Sequence, residues 1–332
     1  MALPDFLVIG APKAGTTALH VALSSHPQLY LSRVKEPKYF LTDDVPPPTS
    51  GGPGDARTFR AQVWRRADYE ALFAEAPAGE LRGESTTLYL RDPQAHARIS
   101  RTIPDAKLIA VLRDPVDRAH SNWTHLRSAG LEPEGDFLKA CDLEGERVAK
   151  GWAPFWRYIG QGKYGEQLEH LYALFPREQV LVLLYRDYRE DPVGMIDRVC
   201  EFLGVRTGVV TDVPTENITA APSHSALNAA LRQVIRLTDR VEHHLPSWCA
   251  SAVTLPATML LQREQKARAR LTVEQRQELL PRFIDDIALL ESLTERSFSH
   301  WVDPHDGSER PVVETSGRFG TAFRSIDRPR TT

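Results

Sequence analysis

The opening stretch, Phe6-Leu7-Val8-Ile9-Gly10-Ala11-Pro12-Lys13-Ala14-Gly15-Thr16-Thr17-Ala18-Leu19, constrains the fold more than any other part of this chain. The apolar run from Phe6 to Ile9 predicts a buried strand, followed by a tight Gly/Pro loop and a helix opening at about Thr16. In that order, loop N–H groups and a helix N-terminus converge where a phosphate can sit. Gly10 and Gly15 keep the glycine spacing of a nucleoside-triphosphate loop, in which a lysine follows the second glycine. Here Thr16 occupies that place and Lys13 lies inside the loop. A cradle of Lys13, loop amides, Thr16 and Thr17 still suits a phosphate, and Lys13 alone can meet the charge on a leaving group without a metal. The alternative is a purely structural glycine turn.

The same alternation of strand and helix continues along the chain. After the first helix, Gln28 to Ser32 predicts a short strand, and Pro37 keeps the charged, aromatic segment Val34 to Phe40 extended or turned. Residues Val45 to Asp55 hold four prolines and three glycines among eleven residues and read as a surface loop. A helix around Tyr69, Leu72 and Phe73, a strand end at Leu81 to Ser85 and a helix capped by Asp92-Pro93 follow. Lys107 to Leu112 is the clearest central strand, apolar enough to be buried on both faces, and Asp114-Pro115 can start a helix reaching about Arg127. Gly130 to Tyr164 reads as irregular and aromatic. A helix from Tyr164 to Phe175, a strand from Gln179 to Tyr185 and an amphipathic helix closing at Leu203-Gly204 come next. Ala226 to Val241 and Val273 to Leu293 carry helical periodicity. Together these predict one α/β domain with a central parallel sheet flanked by helices, whose ligands bind beyond the carboxyl ends of the strands. The domain is expected to span residues 1–301, with a nucleotide-binding core at about 4–203 and a helical part at 204–301. Residues 302–332 read as a flexible polar tail.

Composition narrows the partners. Forty-one basic against 44 acidic residues leave a net charge of −3, without the electrostatic footprint of a nucleic-acid binder. Cys141, Cys200 and Cys249 form no C-x-x-C pair and are read as buried thiols. With no secretory signal and no apolar run long enough for a membrane span, the expectation is a cytoplasmic protein, monomer or homodimer.

A second constellation, Leu112-Arg113-Asp114-Pro115-Val116-Asp117-Arg118-Ala119-His120-Ser121, begins at a strand end about 95 residues after the first. Arg113 and Ser121 can hold a separate phosphate by charge-assisted bonds, or simply belong to a capped helix with surface ion pairs. Taken as a pair, Pro12 to Thr17 and Leu112 to Ser121 resemble the sulfotransferases that use 3′-phosphoadenosine 5′-phosphosulfate (PAPS), more the heparan-type and bacterial branch than the cytosolic one. The resemblance runs from about Pro4 to Leu203.

That resemblance implies a P-loop-like sulfotransferase fold and transfer of a sulfonate from PAPS to a hydroxyl or amine of a small-molecule, lipid or glycan acceptor. Pro12, Lys13, Ala14, Gly15, Thr16 and Thr17 would form the 5′-phosphosulfate loop, with Lys13 also catalytic. Arg113 and Ser121 would take the 3′-phosphate. Lys35-Glu36-Pro37-Lys38-Tyr39-Phe40 is similar to the segment that carries the family's general base, which falls on Glu36. Glu84, within Gly83 to Tyr89, is the competing carboxylate, and Tyr185 matches the strand end near the adenine. No metal is implied. Two departures stand out: Ala18-Leu19 replace the tryptophan that follows Thr-Thr in the cytosolic branch, and none of His96, His120 and His125 matches that branch's catalytic histidine. The donor-covering loop near the C-terminus has no secure counterpart; Asn217 to Arg232 is the candidate. Two rivals remain: a phosphate-loop kinase using ATP and magnesium, with Asp187 as metal carboxylate, and a non-catalytic nucleotide-binding protein. The aromatic stretch Trp152 to Tyr164 and the loop Val45 to Asp55 are either walls of an acceptor cleft or a packed cap.

Overall fold

Strand β1 (Phe6–Gly10) is the middle of a five-stranded sheet. Its partners are β2 (Leu29–Leu31), β3 (Leu81–Ser85), β4 (Lys107–Leu112) and β5 (Val180–Leu184), in the order β2-β3-β1-β4-β5 with every pairing parallel. The structure is a computed structural model and describes residues 2–213 and 270–303. Phe6, Leu7, Val8 and Ile9 are fully buried, as the unbroken apolar run requires of a central parallel strand. Register places Phe6 opposite both Gly83 and Lys107, and Leu112 opposite Leu184. Gly83 is the only residue type that fits there: a Cβ would lie 2.1 Å from the Phe6 ring.

The chain leaves β1 towards one edge of the sheet and crosses back to build the other edge from β4. The strand order therefore switches between β1 and β4, and the loops after these two strands open side by side. That crevice receives Lys13 from one strand and Arg113 from the other.

Helices fill the connections: α1 (Thr16–Ser24), α2 (Asp55–Arg60), α3 (Arg66–Ala71), α4 (Pro93–Thr102), α5 (Pro115–Ser128), α6 (Phe137–Asp142), α7 (Glu144–Ala149), α8 (Tyr164–Tyr172), α9 (Tyr185–Glu190) and α10 (Pro192–Leu203). Three of them start alike. Asp92, Asp114 and Asp191 each accept hydrogen bonds from first-turn amides, with proline at the next position. Gly204 closes α10 in the left-handed conformation.

Two expectations are corrected. Residues 130–164 are not wholly irregular, because Asp136 caps α6, which is followed directly by α7. The periodic stretch from Val273 to Leu293 is two helices, Val273–Leu279 and Ile284–Thr294, since Pro281 has no amide to continue the ladder and a 3-10 turn takes its place. The loop from Val45 to Asp55 lies at the surface as expected, exposed over most of residues 45–51, and is anchored at its end: the buried carboxylate of Asp55 accepts from the amides of Gly52 (2.6 Å) and Ala153 (2.7 Å) and from the Trp156 indole (2.8 Å). Cys141 and Cys200 are buried free thiols, while Cys249, the Ala226 to Val241 stretch, Asn217 to Arg232 and nearly all of the 302–332 tail lie outside the described residues.

The later helices dock onto the core through buried Leu279, Phe283, Ile287 and Leu290, and a carboxylate adds a cap. The Asp286 carboxylate accepts from the Gly165 and Glu166 amides, both at 2.9 Å, and so caps α8 from a distant part of the chain. Within the aromatic segment, Arg147 donates to both Glu132 oxygens at 2.9 and 2.8 Å, and the Tyr158 hydroxyl donates to the same carboxylate. This buried pair is hydrogen-bonded on both partners, the condition under which breaking one partner costs about 3–5 kcal/mol.

Candidate functional site

The loop after β1 is shaped by two left-handed residues, Lys13 (φ 71°) and Gly15 (φ 82°). Its entry is stitched to the next strand by the Ala11 amide, which donates to Val111 O at 2.8 Å. Gly15 is the N-cap of α1, and among the described residues no side chain caps that helix. Pro12, Ala14 and Thr16 are buried, Lys13 is half-buried and Thr17 is exposed. A Cβ on Gly15 would stand 3.0 Å from the Tyr185 ring, so both the backbone angle and the close approach call for glycine.

Arg113 continues from β4 into the same space. Its Nη1 donates to Lys13 O at 3.1 Å, and its guanidinium lies 4.7 Å from the centre of the Tyr185 ring. Tyr185, buried at the end of β5, thus braces both the Lys13 loop and Arg113. Ser121 is buried on α5. The start of α5 is fixed by Arg276, which donates to Asp114 at 2.8 Å and pairs with Asp117 at 2.9 Å. The structure therefore gathers the Lys13 loop, Arg113 and Tyr185 at one sheet edge.

Glu36 stands at a third segment. It and Lys38 flank Pro37 with left-handed backbones (φ 58° and 63°). Such conformations cost on the order of 1–2 kcal/mol each for a residue with a side chain. They are held by the Glu36 amide donating to Ser85 O (2.9 Å) and the Lys38 amide donating to Thr86 Oγ1 (3.1 Å). Backbone strain of this kind concentrates where chains clamp ligands. The Glu36 carboxylate accepts from Thr87 Oγ1 at 2.9 Å and Lys35 Nζ at 3.3 Å. It borders a cavity of about 250 Å³, shared with Lys38, Asp55, Phe155 and Trp156. Both segments expected as either acceptor walls or a packed cap, residues 45–55 and 152–164, contribute to it. Burial pushes the Lys38 ammonium pKa down from its ordinary value, against the attraction of Glu36.

Glu84 has a different setting. It is fully buried and does not border the cavity; the Tyr69 and Thr86 hydroxyls donate to it at 3.2 and 2.9 Å. Burial pushes its pKa up to about 7, and the hydroxyl hydrogen bonds only partly offset this. A buried carboxyl whose folded pKa exceeds its unfolded value favours folding most when protonated. The contribution of Glu84 to stability is thus greatest below pH 4.5, falls as pH rises towards 7 and is level above that. Glu84→Gln is expected to abolish this fall, worth about 3 kcal/mol. Urea unfolding of both proteins at pH 5 and pH 8 measures it, and equal pH slopes would refute it.

Three residues of the site carried no local signal in the sequence. Asp55 and Arg276 act through contacts with distant parts of the chain. His125, set aside as a packed or solvated histidine, lies close enough to Lys13 for the ammonium to affect it. Its pKa is pushed down to about 4, first by burial and then by Lys13, and its ring meets Phe155 of the cavity wall at 6.0 Å. His120 packs on Trp123 and Phe137, and the buried His96 contacts Leu90 O and His170. Asp187 is ion-paired with Arg198 and Arg296 (3.2 and 3.7 Å), so cations occupy the carboxylate that a kinase would need for magnesium. Among the described residues, no group of three or more His, Cys, Asp and Glu is arranged to hold a metal ion, and no helix is long and apolar enough to cross a membrane.

The glycine loop with Lys13 at the switch point of a parallel sheet, and Arg113 on the neighbouring strand end, stand where α/β enzymes of this layout bind their ligands. The sequence pattern of the sulfotransferase family matches residues 4–208, and the chain belongs to that family. It is 31% identical over 211 residues to human bifunctional heparan sulfate N-deacetylase/N-sulfotransferase 3, covering 61% of this chain and 22% of that one. It is also 31% identical over 210 residues to human heparan sulfate glucosamine 3-O-sulfotransferase 3B1, covering 63% and 48%. The chain thus spans about half or less of these relatives' lengths. A sulfotransferase from Alicyclobacillus acidocaldarius superposes with a TM-score of 0.70 at 28% identity, over 91% of this chain and 100% of that one.

Proposed function

We propose that this protein transfers a sulfonate group from PAPS to a hydroxyl or amine of an acceptor by in-line displacement. The observation that carries the reading is the bond from Arg113 to the Lys13 backbone, which ties together the two segments read as phosphate sites, while Glu36 borders a cavity of its own. The residues present fit a donor with two separated phosphates. Lys13 and Arg113 supply one cation to each segment, Thr16 and Ser121 one hydroxyl to each, and Gly15, having no side chain, leaves the N-terminus of α1 uncapped by the described residues.

In this reading the donor supplies an activated sulfonate whose leaving group is the 5′-phosphate. Pro12 to Thr17 hold that phosphate, and Lys13 neutralises the charge that develops as the sulfur–oxygen bond breaks. Arg113 and Ser121 hold the 3′-phosphate, and Tyr185 marks the adenine side. Glu36 takes the acceptor proton as the new bond to sulfur forms, and adenosine 3′,5′-bisphosphate departs. The heparan sulfate relatives and the Alicyclobacillus structure support the class of reaction.

Calorimetry tests the donor directly. Adenosine 3′,5′-bisphosphate is expected to bind at least about tenfold more tightly than ATP with magnesium, because Arg113 recognises a 3′-phosphate that ATP lacks. Tighter binding of ATP with magnesium, or no binding of the bisphosphate, would sink the reading in favour of the kinase.

A further inference from the structure

The cavity beside Glu36 has a chemistry that selects among acceptors. Its volume of about 250 Å³ exceeds the ~150 Å³ that admits benzene and falls just short of the ~300–1,000 Å³ of drug-sized sites. It is a space for one or two rings. Leu41, Phe59, Leu88, Leu126, Leu131 and Phe155 are its large apolar wall residues besides Trp156, and the first and last of these come from segments far apart in the chain. Covering apolar surface against such a wall contributes about 25 cal/mol per Å².

Charge at the wall balances. Among the described residues four charged side chains border the cavity: Glu36 and Asp55 against Lys38 and Arg57. The Asp55 carboxylate is already taken up by the Gly52, Ala153 and Trp156 N–H groups. Burial disfavours the Lys38 ammonium, and the attraction of Glu36 and Asp55 only partly offsets this. Arg57 borders the cavity from an exposed position. A polyanionic glycan needs an excess of Arg and Lys at its subsites, because each carboxylate or sulfate loses water on binding and requires a charge-assisted partner. Here an acceptor anion would meet an already neutral wall and the carboxylate of Glu36, and like-charge contacts discriminate against it.

We propose that the acceptor is an uncharged alcohol or phenol with an apolar body of one or two rings, its hydroxyl directed to Glu36 and its body held by Phe59, Leu126, Leu131 and Phe155. This rests on the sulfotransferase reading given above. The sulfonate replaces the hydroxyl proton, so the product is a sulfate monoester that carries the negative charge its acceptor lacked. An electroneutral, apolar wall holds such an anion less well than the neutral acceptor, which favours release.

The test uses the full chain, labelled PAPS and three acceptors: 2-naphthol, cyclohexanol and an N-desulfated heparan-type polysaccharide. Binding of adenosine 3′,5′-bisphosphate is measured first by calorimetry. The expected result is a kcat/KM for 2-naphthol at least 100-fold above that for the polysaccharide, with cyclohexanol between them. Phe155→Ala and, independently, Phe59→Ala are expected to raise KM for 2-naphthol about tenfold without moving the bisphosphate Kd. Bisphosphate binding with equal or faster transfer to the polysaccharide overturns the acceptor proposal and leaves the sulfotransferase reading standing. Bisphosphate binding with no transfer to either ring compound overturns it too. Absence of both bisphosphate binding and any transfer overturns the sulfotransferase reading itself.

Discussion

Lys13→Ala is expected to lower kcat about 1,000-fold, or about 4 kcal/mol of transition-state stabilisation, at saturating acceptor. The position of Lys13 explains why the loss should fall on kcat. The loop backbone is fixed independently of the lysine side chain, by the Ala11 amide on Val111 O and by Arg113 Nη1 on Lys13 O, and both bonds involve main-chain atoms that alanine retains. The phosphate cradle therefore survives, and bisphosphate affinity should weaken by about tenfold or less. What disappears is the cation available when the 5′-phosphate takes up charge on leaving. An electrostatic group that acts mostly on developing charge changes kcat more than ground-state binding. Single-turnover transfer from labelled PAPS, paired with calorimetry of the bisphosphate, separates the two. A loss confined to binding, with kcat within threefold of wild type, would remove Lys13 from the chemical step.

The sheet was legible in the sequence because parallel strands buried on both faces leave unbroken apolar runs. Phe6 to Ile9 and Lys107 to Leu112 could be placed to within a residue for that reason. Helix starts were legible where capping chemistry is local, as at Asp92-Pro93 and Asp114-Pro115. The anion loop was legible because glycine, proline and lysine at fixed offsets shape one turn. Contacts that join distant segments left no such trace. Asp55 reads as the end of a Pro/Gly-rich loop, yet it ties that loop to Ala153 and Trp156 and so builds a cavity wall. Arg276 lies in a stretch with helical periodicity, yet it fixes the first turn of the helix that carries Ser121. The helical periodicity from Val273 to Leu293 concealed the break because Pro281 interrupts the hydrogen-bond ladder without changing the apolar spacing. The resemblance puts the base on Glu36 with Glu84 as its competitor, and the sequence alone could not compare their burial, which depends on what packs over each carboxylate. Tyr69 and Tyr89 close over Glu84, whereas Thr87 and Lys35 leave Glu36 at the cavity.

That difference in burial leads to the second large effect. Glu36→Gln is expected to lower kcat about 1,000-fold with little change in acceptor KM, within the ~100- to 10,000-fold contribution of a positioned general base. Glutamine preserves size and can still accept from Thr87 Oγ1, so the strained turn at residues 36–38 keeps its hydrogen bonds to Ser85 and Thr86. Only the ability to take a proton is lost. Glu84→Gln provides the contrast on the same scaffold. Its carboxyl sits among Tyr69, Thr86 and Tyr89, where an acceptor hydroxyl would have to displace core side chains to reach it. The Glu84 variant should change the pH dependence of unfolding while keeping kcat within about threefold of wild type. The Glu36 variant should do the reverse, with unfolding free energy within about 0.5 kcal/mol of wild type, as for surface substitutions. Measuring kcat and urea stability for both proteins assigns the base. If Glu84→Gln lost the activity and Glu36→Gln retained it, the proton would have to leave through the buried carboxyl, and the cavity beside Glu36 would no longer be the place where the acceptor hydroxyl reacts.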